Sequence, residues 1–268
     1  MLYLQRGVMP EAGATTIENA VIVVPCFNEA KRLSAAGFHE LMNSGRLSLL
    51  FVDDGSIDAT CERLQQITAG TGGKTGILRL EQNTGKAEAV RRGMVAAISE
   101  GAELVGFTDA DLSTPASEVL RLVEELRDKA DKGVKVVMGS RVLLLGTDIR
   151  RRALRHYLGR VFATCASIAL DLKVYDTQCG AKVFRVTPVL RQALSSPFTS
   201  RWAFDVELIA RLLAPTTDGH YTADDFVEVP LQCWHDVRGS KVTLLGGVRA
   251  FGDLARIMLT RLRSVRRP

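Results

Sequence analysis

A chain of 268 residues, 46% of them hydrophobic, is long enough for one large α/β domain or two small ones and indicates a globular protein. Its net charge of +5 is uneven, because residues 141–160 and 246–268 each carry six arginines against one aspartate, which leaves the rest of the chain acidic. The two basic segments favour phosphate-rich ligands or anionic lipid over nucleic acid, since they lack the interleaved aromatic residues that stack on bases.

Short β-branched runs alternate with helical patterns through the first half of the chain. Between the runs, residues 29–45 and 114–133 place apolar side chains at helical spacing, and each pattern stops at a glycine. Such alternation is typical of a parallel sheet flanked by helices, so we predict a Rossmann-like α/β domain. The runs interpreted as strands are residues 20–25, 47–54, 76–81, 103–109 and 134–140.

The alternation ends after Arg141, and the second half is richer in helix. Its last predicted helix is basic and amphipathic, which suits a membrane interface and also suits packing on a core. The predicted elements are helices at 149–172, 201–213 and 244–267 and a strand at 225–234. The apolar stripe of the last helix consists of Leu244, Leu245, Val248, Phe251, Leu254, Met258, Leu262 and Val265.

Two of the predicted strands end in pairs of acidic residues, in "FVDDGS" and "FTDADLS". In open parallel sheets ligands bind outside the carboxyl ends of the strands, so these loops should share one rim. Asp109 and Asp111 offer two hard oxygen ligands, which suit Mg²⁺ or Mn²⁺ shared with substrate phosphates. The alternative is a pair of solvated turn acids before a helix that Ser113 or Thr114 caps.

The same rim should receive two further motifs. Asp53 and Asp54 could accept hydrogen bonds from a nucleobase N–H or a ribose hydroxyl, although helix capping also explains acids at that position. The stretch "NTGK" (83–86) opens a helix where backbone N–H groups and Lys86 could meet phosphate. Without the full GxxxxGK[ST] spacing it is not a P-loop, and alone it is more often an ordinary loop.

The cysteine pattern and the apolar runs bear on location. Five scattered cysteines without a CxxC pair indicate a reducing cytosolic compartment with buried thiols. The first 20 residues lack the continuous apolar core of a signal peptide, and the longest apolar stretch, 161–170, falls short of the roughly 20 residues that span a bilayer. We expect a cytoplasmic protein, peripheral at the cytoplasmic face of the membrane.

Taken together, eight motifs resemble, in the same order, those of the family 2 inverting glycosyltransferases with the GT-A fold. The resemblance covers about residues 20–263, and the later motifs are most similar to the polyprenyl-phosphate branch, in particular the dolichyl-phosphate β-glucosyltransferases. It implies a GT-A domain at 20–243 between a flexible segment at 1–19 and the basic amphipathic helix at 244–268. The motifs are "VVPCFNEAKRL", "FVDDGSIDAT", "NTGKAEAVRRGM", "FTDADLSTP", "GSR", "DTQCGAKVFR", "RWAFDVEL" and "VRGSKV".

The resemblance also implies roles for individual residues. Asp109 and Asp111 correspond to the DxD pair that holds Mg²⁺ or Mn²⁺ on the nucleotide diphosphate. Gln178, with Cys179, would border the sugar site. The residues implied at the nucleoside pocket are Pro25, Phe27, Glu29 and Asp54, with Asp53 beside them and Lys86 near it. The residues implied on the acceptor side or at the leaving diphosphate are Asp205, Arg141, Arg238 and Lys241.

The reaction implied is the transfer of a hexose, glucose favoured, from UDP-glucose or GDP-mannose to a polyprenyl phosphate at an anionic membrane surface. The Arg-rich segment 141–160 favours a phosphate acceptor, because arginine forms charge-assisted bonds to phosphate. Three alternatives stay open. They are a soluble family 2 enzyme with an alcohol acceptor, a degenerate nucleotide-sugar-binding protein, and a phosphatase of the haloacid dehalogenase type with Asp109 as nucleophile.

Overall fold

A seven-stranded sheet forms the centre of the computed structural model, which describes residues 18–150, 153–237 and 250–258. Nine strands are present in these ranges, and two of them form a separate small sheet. The strands are β1 (Ala20–Cys26), β2 (Ser48–Asp53), β3 (Thr75–Arg79), β4 (Leu104–Phe107), β5 (Val136–Ser140), β6 (Asp148–Arg150), β7 (Lys182–Arg185), β8 (Phe226–Pro230) and β9 (Cys233–His235).

Helices connect the strands and cover the sheet. Residues 250–258 are also helical. The helix between β1 and β2 begins after Ser34, whose side chain accepts a hydrogen bond from the Gly37 backbone N–H and so caps it. The helices are α1 (Ala35–Asn43), α2 (Thr60–Thr68), α3 (Lys86–Ser99), α4 (Ala116–Asp128), α5 (Ala153–Leu170), α6 (Pro188–Ala193) and α7 (Phe204–Leu213).

The large sheet is mostly parallel, as predicted, with the order β3-β2-β1-β4-β7-β5-β8. Only β7 runs antiparallel to its neighbours, β4 and β5. The chain moves outward from β1 to β2 and β3 and then returns to place β4 on the other side of β1. Because the strand order reverses between β1 and β4, the carboxyl ends of these two strands border the crevice where open α/β sheets bind ligands.

The inner strands β1, β2, β4 and β5 are buried on both faces, which explains their near-continuous apolar sequences. In β1, Ile22 and Val24 belong to one core and Val23 to the other. Helices α1, α2 and α4 cover the first core, while α3, α5, α6 and α7 cover the second. The result is a three-layer α/β/α domain of the predicted fold class.

Two sequence-based element predictions were wrong in detail, and one strand was missed. The strand predicted at 225–234 is two strands, because β8 pairs with β5 and β9 pairs with β6 in the small sheet. The helix predicted at 149–172 begins at Ala153, since Ile149 and Arg150 belong to β6. Strand β7 was not predicted, because its four residues include a lysine and leave little room for a visible pattern.

The predicted C-terminal helix lies partly outside the described residues, as do residues 1–17. Within 250–258, Ala250 and Leu254 are buried in the second core, whereas Phe251 and Met258 are partly exposed. The Ser200 hydroxyl donates to Asp253 Oδ2 at 2.6 Å and attaches this helix to the loop before α7. This part of the helix therefore packs on the domain, and the domain boundaries at 19 and 243 stay predictions. In the described ranges, no helix combines the length and the hydropathy of a membrane span.

Close packing of α3 on the sheet depends on Gly93. A Cβ atom there would lie 2.5 Å from Val23 Cγ1 and 2.8 Å from Val52 Cγ2, and both valines are stiff, buried side chains. We expect Gly93→Ala to lower the free energy of unfolding by about 1–2 kcal/mol, because overpacking outweighs the gain in helix propensity.

Chemical denaturation of two further variants checks this result. Val23→Ala combined with Gly93→Ala should recover part of the loss, because it removes the contacting methyl groups. Gly252→Ala, whose added Cβ has open space, is the matched control. Equal stability of Gly93→Ala and Gly252→Ala would contradict the packing argument.

Candidate active site

The carboxylate pair lies where the sequence predicted it, directly after β4 at the reversal of strand order. Asp109 Oδ1 accepts a hydrogen bond from Lys86 Nζ at 2.5 Å. Asp111 Oδ2 lies 3.4 Å from Arg32 Nη2, and its Oδ1 accepts from the Ser113 backbone N–H at 3.0 Å. The two carboxylates therefore each face a cation from another loop, so they are more than the solvated turn acids of the alternative interpretation.

Lys86 is placed by the loop that precedes α3. The Asp54 carboxylate accepts from the Thr84 backbone N–H and from the Gly85 backbone N–H, both at 2.8 Å, and from the Thr84 hydroxyl at 2.7 Å. Gly85 has a φ of 94°, which glycine adopts without strain. Asp54 thus positions Lys86, and its predicted contact with a nucleoside stays a prediction.

The charge state of Lys86 follows from its neighbours. Partial burial lowers the pKa of Lys86, but the carboxylates of Asp109, Asp205 and Asp111 outweigh that effect and raise the pKa above its ordinary value. Arg32 behaves likewise, since Glu29 and Asp111 overcome the desolvation that lowers its pKa. Both side chains are cations throughout the physiological range and supply fixed positive charge to the rim.

Asp205 reaches the same cluster from the first turn of α7. Its Oδ1 accepts from Lys182 Nζ at 2.7 Å, and Lys182 also donates to the Cys179 carbonyl at 2.6 Å. The Lys182 side chain is only 1% exposed and comes from β7, in the middle of the sheet. Asp205 is therefore a buried carboxylate that binds Lys182 directly and lies close enough to Lys86 to attract its positive charge.

The "DTQCG" stretch packs against the carboxylate pair. A Cβ atom on Gly180 would lie 2.1 Å from Asp109 Oδ2, so only glycine leaves that carboxylate in place. Gln178 precedes it in the same turn, where its backbone N–H donates to Asp176 Oδ1 at 3.1 Å. Cys179 is fully buried, and burial raises the pKa of its thiol. The stretch therefore packs beside the carboxylate pair, and the role of Gln178 at the sugar site stays a prediction.

Arg141 is held by a partner that the sequence analysis did not assign. Its Nε and Nη2 donate to the two oxygens of Asp176 at 2.6 and 2.8 Å, and its guanidinium lies 5.3 Å from the centre of the Trp234 ring. The Asp176 carboxylate overcomes the desolvation of Arg141 and raises its pKa. Arg141 is therefore oriented at the end of β5. Lys241 and Arg238, predicted on the same side, lie outside the described residues.

The residues predicted at the nucleoside pocket lie at the carboxyl ends of β1 and β2. Pro25 and Phe27 are partly exposed there, and the buried Glu29 binds Arg32 Nε at 2.6 Å. Asp53 is fully buried, and its Oδ1 accepts from the Ser56 backbone N–H. Its Oδ2 has no hydrogen-bond partner among the described residues and lies 3.7 Å from Arg79 Nε.

Sequence reasoning missed three residues of this site, namely Arg32, Asp176 and Lys182. Lys182 had a usable signal, because a lysine among Ala181, Val183 and Phe184 would be buried in a central strand and would require a buried anion. Asp176 lies within a quoted motif without a role. Arg32 carried no signal, since its contact with Asp111 depends on how two loops meet.

Comparison with known proteins assigns the class. Residues 21–189 match the model of glycosyl transferase family 2. The dolichyl-phosphate β-glucosyltransferase of Saccharomyces cerevisiae is 28% identical over 92% of this chain and 76% of that protein. The Drosophila melanogaster protein of the same name is 32% identical, over 83% of this chain and 68% of that protein. The chain therefore belongs to glycosyl transferase family 2 and is a glycosyltransferase.

Within the family the chain resembles the dolichyl-phosphate β-glucosyltransferases, as the motifs predicted, and the phosphatase alternative is wrong. Solved structures agree on the fold. Glucosyl-3-phosphoglycerate synthase from Mycobacterium tuberculosis, in complex with UDP, has a TM-score of 0.62 at 17% identity over 92% of this chain and 86% of that one. A Pyrobaculum calidifontis mannosyltransferase in complex with GDP-Man and Mn²⁺ has a TM-score of 0.50 at 15% identity, over 92% and 73%.

The pairing of Lys182 with Asp205 leads to a stability prediction. Lys182→Met leaves the Asp205 charge buried without its partner, and we expect it to lower the free energy of unfolding by about 3–5 kcal/mol. Combining it with Asp205→Leu should restore much of that loss, because neither charge is then buried alone. Denaturant titration of both single variants and the double variant measures the coupling.

Arg46 provides the control, since it is more than half exposed and pairs with Glu124 at 3.9 Å. Arg46→Met should hardly change the midpoint of unfolding. Strictly additive effects of Lys182→Met and Asp205→Leu would show that the two side chains do not depend on each other.

Proposed function

We propose that the protein transfers glucose from UDP-glucose to a polyprenyl phosphate of the dolichyl type, with inversion at the anomeric carbon and with Mg²⁺ or Mn²⁺. The observation that carries the proposal is the Asp109–Asp111 pair, compensated by Lys86 and Arg32 and packed against Gly180 at the reversal of strand order. The names of the similar dolichyl-phosphate β-glucosyltransferases support the choice of donor sugar and acceptor.

The carboxylate pair fits a divalent cation. Both residues offer hard oxygen donors, and their side chains remain 35% and 13% exposed at the rim. Gly180 packs against Asp109 and lets the carboxylate keep its position, because a Cβ atom there would lie 2.1 Å from Asp109 Oδ2. We propose that Asp109 and Asp111 hold Mg²⁺ or Mn²⁺, which when bound stabilises the charge that develops on the departing diphosphate.

The nucleoside would bind across the ends of β1 and β2. We propose that Pro25 and Phe27 contact its apolar face, with Glu29 beside them. Asp53 lies beside this pocket, with its buried Oδ2 3.7 Å from Arg79 Nε. Asp54 contributes by holding the loop of Lys86, whose positive charge faces the diphosphate side of the rim.

A phosphate acceptor does not need a general base, because it has no proton that must be removed before it attacks the sugar. The second pKa of a phosphomonoester is near 6, so a polyprenyl phosphate is mostly dianionic at neutral pH and already nucleophilic. Asp205 is paired with Lys182 and lies near Lys86. This environment suits a carboxylate that orients the two lysines rather than one that removes a proton from the acceptor. We propose that Lys86 and Arg141 attract the two anionic substrates, with Lys241 as a further candidate, and that Gln178 contacts the sugar.

The direct test is a transfer assay. The protein is incubated with Mg²⁺ or Mn²⁺, a polyprenyl phosphate and radiolabelled UDP-glucose or GDP-mannose, and label is measured in an organic extract. We expect label from UDP-glucose, metal dependence and a β-linked product, which also reports inversion. Label transferred only to alcohols would assign the protein to the alcohol-acceptor class.

Two variants separate the metal pair from a general base. Asp111→Ala should lower kcat/KM by about 100-fold or more, because it removes a metal ligand. Asp205→Asn should cost less than the 10²–10⁴-fold that loss of a general base typically costs. Full activity of Asp111→Ala in the presence of a chelator would contradict the metal role. A 10³-fold loss of kcat in Asp205→Asn, with the midpoint of unfolding unchanged, would indicate a general base and therefore an alcohol acceptor.

A further inference from the structure

Most of the exposed large apolar side chains among the described residues lie in two stretches of the chain, 143–168 and 250–258. Ten large hydrophobic side chains are exposed among the described residues, and all but Ile57 and Val95 belong to the loop after β5, to α5 or to the helix at 250–258. Exposed apolar residues scattered singly over a surface need no explanation, but a concentration indicates a binding surface. The eight are Leu143, Leu144, Leu145, Tyr157, Val161, Ile168, Phe251 and Met258.

The loop after β5 presents three consecutive leucines on a closed turn. Leu145 is fully exposed, and Leu143 and Leu144 are 64% and 48% exposed. The Thr147 backbone N–H and hydroxyl both donate to the Leu144 carbonyl, at 3.2 and 2.8 Å, and Gly146 supplies the positive φ of 85°. We call residues 143–147 the leucine turn. Its backbone hydrogen bonds hold the turn closed while its leucine side chains stay in contact with solvent.

Helix α5 adds a second apolar strip. Tyr157, Val161 and Ile168 are exposed and fall on one helical face, while Phe162 on another face is buried in the core. The Phe162 ring contacts the Phe251 ring at a centroid distance of 5.3 Å, which places the helix at 250–258 beside α5. The exposed residues of α5 and of 250–258 are therefore on neighbouring elements.

The charge near these exposed apolar residues indicates which kind of partner the surface binds. Residues 141–160, which contain the leucine turn and the start of α5, carry six arginines and one aspartate, and residues 246–268 carry the same excess. Among the described arginines, Arg150 and Arg256 have side chains that are 73% and 76% exposed. Arg150 pairs with Asp148 at 2.8 Å and Arg256 with Asp253 at 3.9 Å, so the excess of positive charge comes from the segments as a whole. Leucines beside clustered arginines match a bilayer with anionic headgroups, which offers hydrocarbon and negative charge side by side.

We propose that the leucine turn inserts into the interface of an anionic membrane, with the exposed strip of α5 and the flanking arginines lying on the headgroups. The turn begins two residues after Arg141, at the end of β5, so insertion would bring the rim of the candidate active site towards the lipid surface. That position of the rim would help catalysis only if the proposed function is right, because a polyprenyl phosphate presents its phosphate at the membrane surface. The docking surface itself is defined by exposure, spacing and charge, independently of the reaction.

Vesicle sedimentation with the full chain tests the proposal. The vesicles contain phosphatidylcholine with or without phosphatidylserine and hold no polyprenyl phosphate. We expect binding to the anionic vesicles only, weakened by salt, and a loss of about tenfold or more in partitioning for the variant Leu143→Ser/Leu144→Ser/Leu145→Ser. Leu145→Ser alone, which removes a fully exposed side chain, keeps the test valid if the triple variant does not fold. Val95→Ser on α3 is the control and should bind like the wild type.

The outcomes separate this inference from the proposed function. Absence of wild-type binding, or equal binding of the triple variant, would overturn the inference even if transfer to a short-chain polyprenyl phosphate in solution is normal. Vesicle binding that depends on the leucines supports it even if no sugar is transferred. A dimer of the wild type that the triple variant loses, without vesicle binding, would assign the surface to a second copy of the chain and overturn the membrane role.

Discussion

The loops of the candidate active site depend on one constraint, which is that the negative charges of carboxylates at the carboxyl edge of the sheet must be balanced by nearby cations. Asp109, Asp111 and Asp205 come together there and would repel one another without cations. Lys86, Arg32 and Lys182 supply the charge, each from a different element. The loops are therefore held by hydrogen bonds as well as by packing, since Asp54 binds the loop of Lys86 and Gly180 leaves room for Asp109.

The balance of charges decides which ligands the site can bind. A rim that already carries lysine and arginine beside carboxylates can receive a nucleoside diphosphate together with a divalent cation, because each ligand finds opposite charge. The pairing of Arg141 with Asp176 extends the same principle towards the base of the leucine turn. The proposed substrate site and the proposed membrane contact thus lie on one edge of the domain.

Much of the fold could be predicted, because parallel strands buried on both faces leave long apolar runs separated by helical patterns. The predictions were wrong where elements are short. Strands β8 and β9 are separated by only Leu231 and Gln232 yet belong to different sheets, and β7 has four residues. The placement of Asp109 and Asp111 was predictable as well, since acids directly after a parallel strand must lie at its carboxyl end.

The sequence by itself determined the class of protein, the mostly parallel sheet and the rim on which the acidic motifs lie, because these follow from local periodicity and from motif order along the chain. Only the tertiary structure decided which cation faces which carboxylate and which apolar side chains stay exposed. Lys182 meets Asp205 because β7 enters the sheet antiparallel between β4 and β5 and α7 then packs on that sheet. Such pairings join residues that are distant in sequence, and they depend on how whole elements pack.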